Sequence, residues 1–177
     1  MTHYLVISAI LDDKAGLVEQ LTQLTHQHHG NICDSRMSVL GNTFALIMLV
    51  SGKSEDLQVL DSQLKGLSTT QQFTLSTKYT DYLPTEEQGI PYQITVISLD
   101  TPGIVHSLSK FFSDRHINIL SLSTETLHAA HTGTPMFSVN MIANITETYN
   151  VSMIEQQFFA LCDEKNLEGE FQRKVTH

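Results

Sequence analysis

The sequence predicts an α+β protein built from two tandem βαββαβ units, each an antiparallel four-stranded sheet with both helices on one face. The first observation is an internal repeat, which aligns Asp13 with Asp100, Gly16 with Gly103 and Val18 with Val105. The second is the dipeptide Asn-Ile, which begins fifteen residues after each glycine, at Asn31 and at Asn118. The third is a shared apolar stripe at helical spacing after each glycine. Together they predict the same ferredoxin-like arrangement twice.

The first copy divides into six elements. The patterns predict strands near 3–11, 31–40, 43–51 and 70–79, and helices near 16–29 and 54–66. Gly41 and Asn42 tolerate positive φ and suit a hairpin turn between the second and third strands. The second helix carries one apolar stripe, made of Leu57, Leu60, Leu64 and Leu67.

The second copy repeats this order. Strands are predicted near 92–99, 118–127, 136–144 and 169–176, and helices near 103–115 and 150–165. Between the copies, 81–91 contains two prolines, one glycine and three acidic residues, which is typical of a linker. The predicted domains are therefore 1–80 and 92–177. The hairpin over 128–135 is longer than its counterpart at Gly41 and Asn42, which fits a cover over a ligand pocket, a contact with a partner, or tolerated length variation.

Composition narrows the function classes. The chain has 177 residues, 41% of them hydrophobic, and a formal net charge of −9. Without a basic stripe, direct nucleic-acid binding is not expected. Two cysteines, Cys33 and Cys162, make no disulfide framework and fit a reducing cytoplasm. The N-terminal residues resemble a strand rather than a signal peptide, and no apolar run approaches the ~20 residues that cross a bilayer.

Both faces of the central strands of the first copy are apolar. Tyr4, Val6 and Ile10 alternate with Leu5, Ile7 and Leu11, whereas the strand near 136–144 alternates polar and apolar residues more cleanly. A two-layer unit leaves one sheet face open to water, so a doubly apolar strand predicts that another surface covers it. We expect that cover to be either the second copy of the repeat or a second chain. The alternative is an apolar face that stays exposed.

The loop after the first strand of each copy is the best candidate for a ligand site. A glycine there allows close backbone approach, and the next helix offers free N–H groups and a positive dipole end to a carboxylate. An α-amino acid needs opposite partners for its ammonium and carboxylate groups. The candidate ligand-binding residues are Asp13, Gly16, Asn31, Asp100, Gly103 and Asn118. The alternative is structural: aspartate as a helix cap and asparagine as a turn residue.

Other chemistry has little support in the sequence. His26, His28 and His29 fall at the predicted C-terminal end of a helix, where histidine suits the dipole, so we expect no metal site. No nucleophile elbow, phosphate-binding glycine loop or Cys-x-x-Cys occurs, so we expect no catalytic residues and no cofactor.

The glycine loops resemble the opening of an ACT domain. The motif is Asp100-Thr-Pro-Gly-Ile-Val105 followed by Arg115-His-Ile-Asn-Ile119, and the first copy matches it through Asp13-Lys-Ala-Gly-Leu-Val18, with Ala15 in place of the usual proline. The resemblance implies amino-acid binding at interfaces between paired domains, through the six residues named above, and regulation of another protein.

A tandem pair of this length further resembles a family of transcriptional repressors of glycine-cleavage genes. That resemblance implies contact with a protein partner, a DNA-bound transcriptional activator, with glycine, or serine as a similar small amino acid, as the sensed ligand. We therefore expect a cytoplasmic, non-catalytic regulator that touches neither nucleic acid nor membrane. The alternative is a ligand-independent protein-interaction module on the same fold, and a small enzyme is a distant third.

Overall fold

The computed structural model describes residues 2–12, 16–81, 89–99, 101–128 and 133–174. The chain divides into two compact units, which are Met1–Pro84 and Thr85–His177. Asp13, Asp100, most of the predicted linker and the tip of the longer hairpin, 129–132, lie outside the described residues. None of the helices in the described ranges has both the length and the hydropathy needed to cross a bilayer.

The first unit has the predicted βαββαβ order. Its elements are β1 (His3–Asp12), α1 (Leu17–Gln27), β2 (Asn31–Leu40), β3 (Thr43–Gly52), α2 (Ser54–Gln71) and β4 (Thr74–Thr80). The strands form one antiparallel sheet in the order β2-β3-β1-β4. Gly41 takes a positive φ of 65° in the two-residue connection between β2 and β3, as predicted for that turn.

The second unit repeats the arrangement. Its elements are β5 (Ile90–Leu99), α3 (Ile104–Ser113), β6 (Asn118–His128), β7 (Pro135–Ile145), α4 (Val151–Lys165) and β8 (Glu168–Arg173). The sheet order β6-β7-β5-β8 is the order of the first unit. The predicted fold class, two tandem ferredoxin-like units, is confirmed.

Each unit has its own hydrophobic core between the sheet and the helices. In the first unit the apolar stripe of α2 packs on alternate residues of the central strands, and the fully buried members include Leu5, Ile7, Val50, Leu57, Leu60 and Leu64. In the second unit aromatic residues fill the centre, with Phe112 and Phe158 both 0% exposed. Burying such side chains contributes roughly 1.5–3 kcal/mol each.

The end of α2 differs from the prediction. The helix was expected to end near 66 and the strand to begin near 70, but the helix continues to Gln71 and β4 starts at Thr74. The hydroxyls of Ser68, Thr69 and Thr70 donate to carbonyls three or four residues earlier, which lets polar residues remain helical. Gln72 then ends the helix in the left-handed conformation, at φ 57°.

The equivalent edge strands of the two units, β2 and β6, each carry a β-bulge near their start. Pairing between β2 and β3 shifts between Ile32 and Asp34, and pairing between β6 and β7 shifts between Ile119 and Ser121. The extra residue is Cys33 in one unit and Leu120 in the other, at the same distance from Asn31 and Asn118. Because side chains alternate between faces, one extra residue reverses the faces of the residues on either side of it.

The open sheet faces of the two units differ, as the alternation patterns predict. In the first unit this face is apolar along the central strands, where Ile10 is 50% and Ile47 is 47% exposed. In the second unit the equivalent face is mainly polar and includes Thr95, Asn140 and Glu170. That another surface covers the first unit's open face stays a prediction.

Candidate functional site

The glycine loops after β1 and β5 have nearly identical backbones. Gly16 is the N-cap of α1 at φ 94°, and Gly103 is the N-cap of α3 at φ 95°. Each glycine carbonyl accepts the first helical hydrogen bond, from Gln20 at 3.0 Å and from Ser107 at 2.9 Å. A glycine has no side chain with which to cap the helix, so in neither helix does the N-cap side chain bond the first-turn N–H groups, which are donors of the kind that binds carboxylates.

Positive φ explains glycine at both positions. A Cβ added to Gly16 or Gly103 would meet nothing within 4 Å, so space alone would admit a larger residue. The left-handed conformation disfavours any residue with a Cβ. The same open space leaves the backbone at Gly16 and at Gly103 accessible to a small ligand.

Replacing Gly103 by alanine is therefore expected to lower the free energy of unfolding of the second unit by about 1–2 kcal/mol. The matched control is Gly66→Ala within α2, where an added Cβ also meets nothing within 4 Å. There the helical backbone suits alanine, and the change should stabilise the first unit by about 0.5–1 kcal/mol. Urea unfolding followed by circular dichroism measures both, and equal effects of the same sign would contradict the conformational explanation.

The two asparagines open the edge strands as predicted. Asn31 is the first residue of β2, and Asn118 is the first residue of β6; both are exposed. Asn31 is in register with Ser51, and Asn118 is in register with Asn144. The amide nitrogen of Asn31 donates to Cys33 Sγ at 3.8 Å, and its backbone carbonyl accepts from Ser51 Oγ at 3.4 Å.

Within one unit the glycine and the asparagine lie at opposite ends of the sheet. The loop of Gly16 follows Asp12, which pairs with Thr43, whereas Asn31 pairs with Ser51 at the other end of β3. Eight residues along an antiparallel strand span about 27 Å. One small amino acid cannot contact both residues in the same unit, and the second unit has the same geometry.

A cavity of about 500 Å³ surrounds Asn31, where β2 begins, β3 ends and α2 begins. Sequence reasoning named only Asn31 there. The structure adds Lys53, the single residue between β3 and α2, and Asp56 in the first turn of α2. The sequence signal that could have found these two residues is a pair of opposite charges beside a short connection from strand to helix.

Two smaller cavities lie near the first glycine loop and near Asn118. A cavity of about 350 Å³ lies beside the first glycine loop and is lined by Asp12, Leu17 and Gln71 among others. Another of about 480 Å³ borders Asn118, together with Ser109, Ser113, His116 and two isoleucines.

His26, His28 and His29 lie at the C-terminal end of α1, as predicted. His26 lies in the last turn of α1, and His28 is its C-cap. His29 adopts φ 54°, and His116 in the second unit adopts the same value. Among the described residues, no three His, Cys, Asp or Glu side chains are grouped as metal ligands would be. His29 and His116 thus occupy the same position of the repeat, where the chain turns from the helix into the next strand.

The two cysteines have different surroundings. Cys33 is exposed, with its Sγ 3.2 Å from Ser51 Oγ. Cys162 is buried, and this burial raises the pKa of its thiol to about 11, with a further contribution from Asp163. A raised pKa disfavours the reactive thiolate at neutral pH.

A disulfide reagent at pH 8 is accordingly expected to modify one thiol per folded chain quickly and the second only after denaturation. Cys33→Ser should remove the fast phase and leave the slow one. The absorbance of the released thiolate measures both phases. Two fast thiols in the folded protein would contradict the burial of Cys162.

Comparison with known proteins finds a family model that matches the first unit and relatives that match most of the chain. The family model described as ACT domain matches residues 3–78, which are the first unit. The glycine cleavage system transcriptional repressor of Escherichia coli (strain K12) is 29% identical over 167 residues, which cover 94% of this chain and 88% of the relative. The protein of that name from Shigella flexneri gives the same figures.

Solved structures agree in fold over both units. The crystal structure of a protein assigned as a glycine cleavage system transcriptional repressor matches with a TM-score of 0.74 and 26% identity, covering 99% of each chain. A protein of unknown function from Galdieria sulphuraria gives a TM-score of 0.82 at 24% identity, which shows the fold alone. The first unit of the chain thus matches an ACT-domain model, and the chain is similar over both units to glycine cleavage system transcriptional repressors.

Proposed function

We propose that this chain is a non-catalytic regulatory protein that senses glycine or a similar small amino acid and acts by contact with a protein partner. The observation that carries the proposal is the relationship to the repressor, which extends through both units rather than through one domain alone. A fold shared by one domain would support amino-acid binding in general, whereas similarity along both units supports a shared mode of regulation.

The chemistry of the predicted residues supports an amino acid as ligand. First-turn N–H groups at Gly16 and Gly103 suit a carboxylate, and the amides of Asn31 and Asn118 both donate and accept. Because the glycine and the asparagine of one unit are about 27 Å apart, a ligand that uses both types requires the loop of one domain to meet the asparagine of a partner domain. Pairing of domains is what the ACT resemblance implies.

Regulation follows if the ligand prefers one state of the protein. A ligand shifts an equilibrium only by its difference in affinity between two states. We infer that the amino acid changes the surface offered to the partner, for which a DNA-bound transcriptional activator is the candidate. The net charge of −9 favours such indirect action over contact with DNA phosphates.

The ligand's size limits its affinity. At most about 1.5 kcal/mol per non-hydrogen atom is available to a small ligand, so the five atoms of glycine allow about 7 kcal/mol. The corresponding dissociation constant is about 10 μM or weaker. The proposed sensor therefore responds to an abundant metabolite rather than to traces.

Isothermal titration of the full chain with a panel of amino acids tests the proposal. We expect saturable binding of glycine or serine, with a dissociation constant between about 10 μM and 1 mM. Bulky amino acids such as phenylalanine serve as the control for size selectivity. Absence of heat and of any thermal shift for every amino acid at millimolar concentration would contradict amino-acid sensing.

A ligand-independent interaction module is the second candidate. The observation in its favour is the open sheet face of the first unit, where Ile10 and Ile47 are about half exposed. Apolar surface of this kind is typical of sites that contact another protein. Partner binding that is unchanged by any amino acid would support this function over sensing.

A further inference from the structure

We propose that the first unit binds the charged ends of its amino-acid ligand in the cavity around Asn31, between Lys53 and Asp56, and that the second unit has no equivalent site. This inference rests on the proposed function and names the location and the number of sites within it. The expected stoichiometry is one ligand per chain.

The cavity brings opposite charges to a single corner of the first unit. Lys53 is the only residue between β3 and α2, so α2 starts directly beside the first residues of β2. Asp56 follows in the first turn and is half-buried, whereas Lys53 and Asn31 are exposed. Thr2, His29 and Ser51 add to the polar lining of this cavity of about 500 Å³.

Among the described residues, neither charged side chain has a partner of opposite charge. In the part of the chain that the structure describes, the ion pairs involve other residues, and the side chains of Lys53 and Asp56 make no side-chain hydrogen bond. Elsewhere in this unit a lysine and an aspartate four residues apart on α2, Lys65 and Asp61, do pair at 2.7 Å. The two charges beside Asn31 are therefore available to an external ligand.

An α-amino acid complements this arrangement. Its carboxylate accepts hydrogen bonds from the Lys53 ammonium and from the Asn31 amide nitrogen, and its ammonium donates to the Asp56 carboxylate. The N–H groups of the first turn of α2 add donors on the carboxylate side, since the N-cap side chain, that of Lys53, accepts no hydrogen bond from them. Charge-assisted bonds of this kind are about twice as strong as neutral ones.

In the described part of the second unit, the equivalent cavity lacks the charged residues, and the strand-to-helix connection is longer. The cavity of about 480 Å³ at Asn118 is lined, among the described residues, by serines, a histidine and isoleucines, with no lysine, arginine, aspartate or glutamate. The connection from β7 to α4 spans 146–150 instead of one residue. At its end Asn150 caps α4 by accepting a hydrogen bond from Met153 N at 3.2 Å. The repeated asparagines therefore lie in chemically different corners.

Titration calorimetry of the full chain with glycine and with serine tests the inference. Lys53→Met and Asp56→Asn keep side-chain size and remove charge, and each is expected to weaken binding at least tenfold. Glu55→Gln, one residue away on α2, and Lys78→Met, on the opposite sheet face, are the matched charge controls. Both controls should keep the wild-type dissociation constant within twofold, and wild type should bind one ligand per chain.

The outcomes separate the inference from the function on which it rests. Saturable wild-type binding that Lys53→Met and Asp56→Asn leave unchanged, or a stoichiometry of two, would overturn this site while amino-acid sensing stands. No binding by the wild-type chain would overturn both. Since all the substituted side chains are exposed or half-buried, unchanged circular dichroism spectra and melting temperatures confirm that loss of affinity is local. Amide exchange around Asn31 gives an independent readout, because ligand should slow it in wild type and in the two controls but not in Lys53→Met or Asp56→Asn.

Discussion

Phe158→Ala is expected to lower the free energy of unfolding of the second unit by about 3–5 kcal/mol. The ring is fully buried, and its centroid lies 5.7 Å from that of Phe171 and 6.2 Å from that of Phe111. Space beside it is scarce, because a Cβ on Gly169 would stand 2.9 Å from its ring. Truncation would leave a cavity that these neighbours, fixed in strands and helices, fill only in part.

Phe159→Ala is the matched control for that change. The residue follows Phe158 on α4 and contacts its ring edge to face at 5.5 Å, but it is 39% exposed. Its truncation should cost less than half as much. Urea unfolding by circular dichroism measures the total effect, and hydrogen exchange of peptides from 104–173 assigns it to the second unit. Equal effects of the two substitutions would contradict the described core.

Leu60→Ala is expected to lower the free energy of unfolding of the first unit by about 2–5 kcal/mol. Leu60 is 0% exposed at the centre of α2, where it joins Leu57 and Leu64 against the sheet. The loss combines the transfer free energy of the removed methyl groups with the cost of the remaining cavity.

The neighbouring substitution Val59→Ala provides the control on the same helix. Val59 is 47% exposed, and alanine has the higher helix propensity, so its stability should change by no more than about 0.5 kcal/mol. Thermal unfolding with exchange of peptides from 54–71 separates the two variants. A destabilisation by Val59→Ala as large as that by Leu60→Ala would show that the helix is rotated from the described orientation.

The sequence predicts the fold well because each copy repeats the same apolar periods. The strands begin or end within three residues of their predicted positions except at the start of β4, and the paired glycines mark both helix starts. The end of α2 is the largest error. Ser68, Thr69 and Thr70 have low helix propensity, yet their hydroxyls bond the preceding turn and the packed leucines extend the helix.

The candidate site is less well predicted, because spacing along the chain does not give distance in space. The repeat makes Gly16 and Asn31 look like one site, but α1 returns the chain to the opposite end of the sheet. Lys53 and Asp56 carry no repeat signal, since the second unit has no counterpart to them. Only the one-residue connection between β3 and α2 places them beside Asn31.

The bulges at Cys33 and Leu120 have a consequence for how the two copies can diverge. Deleting either residue, or inserting another beside it, would turn neighbouring side chains to the wrong face of the sheet. Length changes are therefore tolerated elsewhere, and the two copies differ in length at their connections. Two residues join β2 to β3 but six join β6 to β7, and one residue precedes α2 but five precede α4. In such a repeat, the two copies diverge in function through the connections between their elements, while the strands keep their register.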